Sequence, residues 1–485
     1  MIDHFSGLLA GAGTFACAAH LWRARGWKAQ RIMASQLSLL RRQIAGAAAR
    51  VPHYRESFGE MGIDSVDLDS VDALRRLPFA TKETVKACFP DRLVADGVPW
   101  KSLYSMSTSG THDRVMLFHD EPKRAWDRAA DVVLELRGNR YRPGRKTISM
   151  PPDACAEYCG AEHGRDASTA AGALMRLASA PVVERTELGR RFRHRVMRDY
   201  VWRERILPSF GQMGTAPAPE LMDEYLDSIA EWRPATLKGL PMSIYVLARH
   251  AARRGRVFSG IRRVRPAGGK FSQVMAKTAE KAFGAPVREN YGTGELGTIA
   301  FDCLHNRQQH LLGELFVVEF LRGGHPVGPG ELGELVITDL RNVASPLIRY
   351  RVSDVGRYFT GPCKCGFEGL LFSIDGRVEE TVITRDGRAV SGTEIIDCLL
   401  AREEIAFAKV IQTGEAEFSV DLVPNTPGGD VPSENELARM LGELLEQPVR
   451  VRRRIAGYIA PEASGKYQLV VSTTFQRLRE TQRAN

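Results

Sequence analysis

Cysteine is scarce in this chain: eight in 485 residues, at positions 17, 88, 155, 159, 303, 363, 365 and 398. Such sparse, uneven spacing excludes the disulfide framework of a small secreted domain. Long apolar runs are also missing. The stretch from Phe5 to Trp22 is rich in Ala and Gly, holds His20 and has no basic segment before it. It does not read as a signal peptide, and it is too short and too weakly apolar for a membrane span. A buried or membrane-grazing helix is expected there, in a cytoplasmic protein without firm membrane association. Helix-turn-helix, RNA-recognition and basic-heptad signatures are absent, which sets nucleic acid aside as a partner. Repeats and low-complexity tracts are absent as well.

What is present is the composition of a soluble globular protein, 44% apolar and 26% charged. At roughly 150 residues per domain the length implies several packed units. The net charge of +9 suits nucleotide phosphates, an anionic surface or an acidic carrier protein. Its densest stretches are Arg190, Arg191, Arg193, Arg195, Arg198, Arg203 and Arg205, and then Arg450, Arg452, Arg453 and Arg454. A solvated face is the plain reading of both.

Apolar periodicity predicts a helix over 30–50, a turn at Val51-Pro52-His53-Tyr54-Arg55, and helix again from 220 to 255. Residues 145–185 carry little period. Glu314–Leu321 and Glu334–Leu340 read as strands between Gly-rich turns. After Gly376 the pattern becomes a compact α+β unit. Phe407–Gln412 and Phe418–Val423 pair as strands, and the loop Pro424-Asn425-Thr426-Pro427-Gly428-Gly429 breaks the chain. A capping box of Ser433 and Glu436 then opens a helix that buries Leu437, Met440, Leu441, Leu444 and Leu445, and a strand follows at Val449–Ile455. The expected division is a domain over 1–376 and another over 377–485.

Ser105-Met106-Ser107-Thr108-Ser109-Gly110-Thr111 can wrap backbone N–H and side-chain O–H groups around phosphate oxygens. Taken alone, such a run is more often a plain loop. Other segments follow it in order: Gly268-Gly269-Lys270, Tyr291-Gly292-Thr293-Gly294-Glu295, Ile348-Arg349-Tyr350-Arg351-Val352-Ser353-Asp354, Gly376-Arg377-Val378-Glu379-Glu380 and Gly465-Lys466. Together they resemble the landmark motifs of the adenylate-forming superfamily, which includes acyl-coenzyme A synthetases and adenylation domains. Val51–Arg55, Leu77-Pro78-Phe79-Ala80-Thr81-Lys82 and Thr338-Asp339-Leu340-Arg341-Asn342 are similar to the phenylacetate–coenzyme A ligase branch, leaning towards its capsular-polysaccharide-biosynthesis subgroup.

The resemblance implies an α/β fold with a large multi-sheet N-terminal domain and a small, mobile α+β C-terminal one. It implies ATP and Mg²⁺ as cofactors, and activation of a small carboxylic acid, an aryl acid by branch, as its acyl-adenylate. Coenzyme A or the phosphopantetheine of an acyl carrier protein would then accept the acyl group. By the same resemblance Ser107, Thr108, Ser109, Gly110 and Thr111 hold the β- and γ-phosphates, and Glu295 binds Mg²⁺. Lys466 offsets charge between the carboxylate and the α-phosphate. Tyr291 stacks on adenine, Asp354 takes the ribose hydroxyls and Arg377 assists. Gly268, Gly269, Gly292 and Thr293 complete the pocket, and Glu379 marks the hinge. Two other readings stay open: a nucleotidyltransferase that leaves AMP on a hydroxyl, and a non-catalytic nucleotide-binding relative.

Several positions depart from the pattern. His112, Asp113 and Arg114 stand in the phosphate loop, Gly294 replaces a hydroxyl residue, and Ser353 replaces a glycine. Separately, Cys303, His310, Cys363 and Cys365 offer three thiolates and an imidazole, a set that satisfies a closed structural Zn²⁺ site. The other reading is buried free cysteines beside an unrelated histidine. Members of the resembled branch carry a similar Cys-His-Cys-Cys set, which implies a structural zinc in the loop spanning 303–365.

Overall fold

The computed structural model describes residues 12–62, 68–99, 103–107, 115–138, 145–151, 203–210, 215–303, 305–462, 466–475 and 477. The aperiodic 152–185 stretch and most of the 190–205 basic stretch lie outside them.

Helices α1 (Ala12–Ala24), α2 (Ala29–Arg50) and α3 (Pro52–Glu60) open the described chain. The expected turn at 51–55 is instead the start of α3. Pro52 sits in its first turn, where a missing N–H costs nothing, and Tyr54 and Phe58 are buried. Helix α1 keeps Phe15 and Trp22 about half exposed while packing against the later helix Glu121–Gly138. No helix among the described residues is long and apolar enough to cross a membrane.

Helix α4 (Lys82–Cys88), strands β1 (Tyr104–Ser107) and β2 (Met116–His119) and helix α5 (Glu121–Gly138) follow. Next comes a four-stranded sheet of β3 (Thr147–Met150), β4 (Glu204–Ile206), β5 (Thr236–Gly239) and β6 (Arg263–Pro266), ordered β4-β3-β5-β6 and parallel throughout. Helices α6 (Pro219–Trp232), α7 (Pro241–Arg253) and α8 (Gln273–Phe283) accompany it. The helical period expected across 220–255 is thus interrupted by β5. The interruption has a local cause: Pro219 and Pro241 each open their own helix, so Pro241 cannot lie within a continuous one.

The largest sheet has eight strands. They are β7 (Asn290–Thr293), β8 (Gly297–Asp302), β9 (Gln309–Leu311), β10 (Phe316–Arg322), β11 (His325–Pro326), β12 (Gly333–Asp339), β13 (Tyr350–Phe359) and β14 (Leu371–Arg377). Their order is β11-β10-β12-β13-β14-β9-β8-β7. The strands expected at 314–321 and 334–340 are β10 and β12. Arg349, buried between this sheet and the N-terminal segment, forks onto Glu319 with two bonds of 2.9 Å. It also donates to the carbonyl of Leu77, and its own carbonyl accepts from Ala80 N–H at 3.1 Å. The guanidinium groups of Arg349 and Arg351 both lie 4.1 Å from the Phe79 ring. The Leu77–Lys82 and Ile348–Asp354 motifs are therefore two halves of one clasp.

After Arg377 come a short pair, β15 (Val382–Ile383) and β16 (Ala389–Val390), and helix α9 (Gly392–Leu400). Strands β17 (Ile405–Gly414) and β18 (Glu417–Pro424), helix α10 (Glu434–Leu445), and strands β19 (Arg450–Ile455) and β20 (Val470–Val471) complete the unit. Its sheet runs β19-β18-β17-β20. The capping box at Ser433 and Glu436 forms as expected. Leu437, Leu441 and Leu445 are buried, but Met440 and Leu444 only partly, because the face turned to the sheet is a narrow stripe of every fourth residue.

Breaking the clasp has a defined cost. Arg349→Ala leaves the Glu319 carboxylate beside the sheet without its counter-ion and is expected to lower unfolding free energy by about 3 kcal/mol in urea titrations.

Candidate active site

Strands β5 and β6 run parallel, so their carboxyl ends open side by side, the usual place for a ligand crevice in an α/β sheet. The turn after β5 supplies Leu240 and Pro241, and the turn after β6 supplies Gly268 and Gly269. Strand β7 and its turn bring Tyr291, Gly292, Thr293 and Glu295. Asp354 comes from β13, Arg377 from the end of β14, and Lys466 from the segment before β20. All of these line one cavity of about 700 Å³. Of the residues expected at a nucleotide site, Gly268, Gly269, Tyr291, Gly292, Thr293, Glu295, Asp354, Arg377 and Lys466 thus converge. Ser107 ends β1. Thr108, Ser109, Gly110 and Thr111, with His112, Asp113 and Arg114, lie outside the described residues.

Gly268 has φ +81°, and a Cβ there would lie 3.3 Å from Leu240 and 3.6 Å from Lys466 Cε. The lysine stem therefore runs against the glycine turn. Glu295 is 5% exposed, and one of its carboxylate oxygens accepts from Tyr350 O–H at 3.0 Å. That fixed, hard oxygen donor at a cavity wall fits Mg²⁺.

Asp354 and Arg377 face each other across β13 and β14. Asp354 accepts from Tyr291 O–H at 2.8 Å and lies 3.8 Å from Arg377 Nε, which in turn stands 3.0 Å from Glu379. Burial raises the Asp354 carboxyl above its ordinary value despite Arg377. Burial, with the neighbouring Asp354 charge, lifts the Tyr291 phenol well above its own. Burial, then the Glu379 charge, pushes Glu380 up to about 7. Lys270, where the resembled motif has glutamate, pairs with Glu289, which also accepts from Phe271 N–H at 3.1 Å.

Ser353, standing in for a glycine, has φ +66°. The left-handed conformation disfavours any side chain, which explains why a glycine suits that position. Tyr350, Lys270 and Glu380 went unassigned by the sequence reading, although all three sit inside or beside its motifs. The buried group His119, Lys123 and Asp127 was missed entirely. Its signal was the i,i+4 spacing of Lys123 and Asp127 at the start of α5, just after His119, the last residue of β2.

Cys303, His310, Cys363 and Cys365 come together, their ligand atoms all within 4.8 Å of one another. Cys303 Sγ and Cys363 Sγ are 3.3 Å apart, and Cys365 Sγ lies 3.7 Å from His310 Nε2. Ligands of a tetrahedral zinc, at about 2.3 Å for sulfur and about 2.0 Å for nitrogen, stand about 3.5 to 3.8 Å from each other. The donor set therefore fits Zn²⁺. The His310 ring stacks on Phe367 at 4.3 Å, and His305 N–H donates to Cys303 Sγ at 3.3 Å.

No family model matches the chain. Phenylacetate-coenzyme A ligase of Thermus thermophilus is 24% identical over 389 residues, 78% of this chain and 77% of that one. The enzyme of the same name from Aromatoleum evansii is 22% identical over 435 residues, 86% and 87% of the two chains. Among solved structures, 2-hydroxyisobutyryl-CoA ligase in a postadenylation state gives a TM-score of 0.66 at 17% identity, over 96% of this chain and 94% of that one. The same ligase in its thioesterification state gives 0.52. The fold is the α/β fold of adenylate-forming coenzyme A ligases, and these likenesses support that superfamily. The capsular-polysaccharide subgroup gains no support from them.

Two outcomes test this geometry. Ser353→Gly relieves a left-handed side chain and is expected to raise stability by about 1 kcal/mol in chemical denaturation. Glu380 titrates near 7 when folded against its ordinary 4.5, so between those values the folded state holds more protons. Stability therefore falls as pH rises from about 4.5 to about 7. The Tm advantage of Glu380→Gln over the wild type should accordingly be larger at about pH 8 than at about pH 5.

Proposed function

We propose that this protein is an ATP-dependent ligase that converts a small carboxylic acid, an aryl acid in our reading, to its acyl-adenylate and passes the acyl group to a thiol. The observation that carries the reading is the convergence of Lys466 with Gly268, Glu295, Asp354 and Arg377 around one cavity. The acceptor is coenzyme A or a carrier-protein phosphopantetheine.

Attack of a carboxylate on the α-phosphorus brings two anions together, so the site must supply positive charge and directed donors. In this reading Lys466, lying along the Gly268 turn, offsets the charge between them. Asp354 takes the ribose hydroxyls and exchanges its Tyr291 bond for them. The Tyr291 ring, held edge-on to Phe372 at 6.0 Å, forms the adenine wall, and Arg377 steadies the Asp354 carboxylate that meets the ribose. Glu295 would hold Mg²⁺, which lowers the phosphate charge when bound. We take Ser107 to Thr111 as the holders of the outer phosphates.

We draw the domain boundary at 376/377. Rotation about Glu379 would carry Lys466 out and open a thiol path, the kind of closure that gates many enzymes. The higher likeness to the postadenylation complex of the hydroxyisobutyryl ligase, and the contact of Lys466 with Gly268, support reading this conformation as the adenylating one.

Carboxylate-dependent ATP–pyrophosphate exchange over a panel of aryl and aliphatic acids tests the proposal. Exchange with one acid class, reduced at least about a hundredfold by Lys466→Ala, is the expected result. Binding of ATP with no exchange for any acid sinks it and favours transfer of AMP to a hydroxyl. We further propose a structural zinc on Cys303, His310, Cys363 and Cys365. The purified protein should hold one zinc per chain, and Cys363→Ser should lose it together with thermal stability.

A further inference from the structure

Beneath the Glu295 turn lies a group of charges sealed from solvent. The side chains of His119 and Lys123 are 0% exposed, and those of Asp127 and Asp339 are 4% and 2% exposed. His119 Nε2 lies 2.8 Å from the carbonyl of Glu295, and Nδ1 lies 3.0 Å from Asp127. Both ring nitrogens thus stand within hydrogen-bonding distance of an oxygen. Lys123 Nζ donates to the next carbonyl, that of Leu296, at 2.8 Å, and to Asp127 at 2.7 Å, with Asp339 at 3.3 Å.

Two successive peptide carbonyls are thus met by two buried side chains, the His119 ring and the Lys123 ammonium. The turn is closed further by Asp127: a Cβ on Gly297, which has φ +80°, would lie 2.8 Å from its Oδ1. Leu296 N–H donates to Thr293 Oγ1 at 3.2 Å, and Thr298 donates to Asp131 of the same helix. Burying Lys123, Asp127 and Asp339 costs several kcal/mol per ion unless they are paired and hydrogen-bonded. An apolar filling would have served stability alone as well. What these particular groups add is direction: they fix the Glu295 backbone from below while Tyr350 fixes its carboxylate from above.

His119 ends β2, and β1 and β2 flank in sequence the stretch from Thr108 to Arg114. Lys123 and Asp127 stand on α5, whose first turn is capped by Asp120 accepting from Lys123 N–H at 2.8 Å.

We infer that His119 and Lys123 are positioning residues for the metal-binding glutamate, holding the Glu295–Leu296 peptides so that the Glu295 carboxylate meets a divalent cation carried by the nucleotide. The inference rests on the ligase reading for the identity of Glu295. Its test is nevertheless a binding measurement that needs no acid substrate.

Titration calorimetry with ATP plus Mg²⁺, ATP plus chelator, and AMP separates the metal-dependent part of binding. The wild type should bind ATP more tightly with Mg²⁺, and His119→Ala should lose about tenfold of that gain, the range seen for outer-shell partners of metal ligands. AMP binding should stay within about twofold, and His119→Gln, which keeps a donor towards the Glu295 carbonyl, should recover most of the loss. Equal Mg²⁺ gains in wild type and His119→Ala overturn the inference, as does a parallel loss of AMP binding. If His119→Ala fails to fold, an unchanged Mg²⁺ gain in Asp127→Asn overturns it and a reduced gain supports it. A wild type that binds ATP equally with and without Mg²⁺ overturns it as well. Absence of acid-dependent exchange alongside a normal Mg²⁺ gain removes only the ligase reading.

Discussion

Asp354 and Arg377 stand opposite each other on β13 and β14, and the cavity is organised around that one pairing. The ladder is not regular. It runs Asp354↔Arg377 and Val355↔Gly376, then shifts so that Gly356 meets Ile374. Such a bulge re-aims side chains where a sheet borders a site. Without it a one-residue slip would send either Asp354 or Arg377 to the other face. The same ladder has consequences on both flanks. Strand β13 is held on its far side by β12 and clasped by Arg349. Strand β14 borders β9, where Leu371 pairs with His310 of the Cys-His-Cys-Cys group. A metal there would brace the end of the strand whose other end carries Arg377, without touching the chemistry.

The segment after Arg377 meets the rest of the chain through a shared apolar core, in which α9 packs on α8, and through polar contacts around it. Asp397 on α9 accepts from Gln273 and Val274 N–H at 2.8 and 2.7 Å, at the positive end of α8. Arg249 and Arg253 reach the carbonyls of Ala406 and Asn425, each at 2.8 Å. Polar contacts near the surface can be exchanged for water at small net cost, unlike an apolar core. Here they rim the apolar core in which α8 and α9 pack together.

Much of the fold was legible because its signals are local. The 3.6 period over α2, the capping box of α10 and the short apolar runs of β10, β12, β17 and β18 each follow from neighbours in sequence. Two signals misled. Val51–Arg55 read as a turn because Pro52 looked like a breaker, whereas proline in a first turn starts a helix. Pro241 went unnoticed inside an apolar period that spans two helices. At the site, motif residues were legible one at a time, and their convergence agrees with the resemblance. The His119–Lys123–Asp127–Asp339 group was not legible, since its meaning lies in two carbonyls more than 170 residues away in sequence. A backbone acceptor leaves no mark on residue identity. Lys270 shows the converse: an unexpected charge beside the Gly-Gly turn is balanced by Glu289, which spacing could not have paired with it.

Charge decides what the cavity can hold. Its described lining carries the carboxyl groups of Glu289, Glu295, Asp354, Glu379, Glu380 and Glu462 against the cations Lys82, Lys270, Arg377 and Lys466. Lys270 is engaged by Glu289, and Arg377 is shared between Asp354 and Glu379. A nucleoside triphosphate entering this lining meets more acids than bases. At a separation of about 4 Å each like-charge pair costs about 4 kcal/mol near a protein surface, before screening. Two features reduce that repulsion. Burial keeps Glu380 near half-protonated at neutral pH, and the raised Asp354 carboxyl can share its charge with hydrogen-bond donors. Neither removes the Glu295 charge, which is fixed in place by Tyr350 and by the carbonyl clamp beneath it. In the ligase reading, a carboxylate so fixed would oppose a bare triphosphate and favour one that arrives with a divalent cation, and the same side chain would both select the charge state of the ligand and orient it.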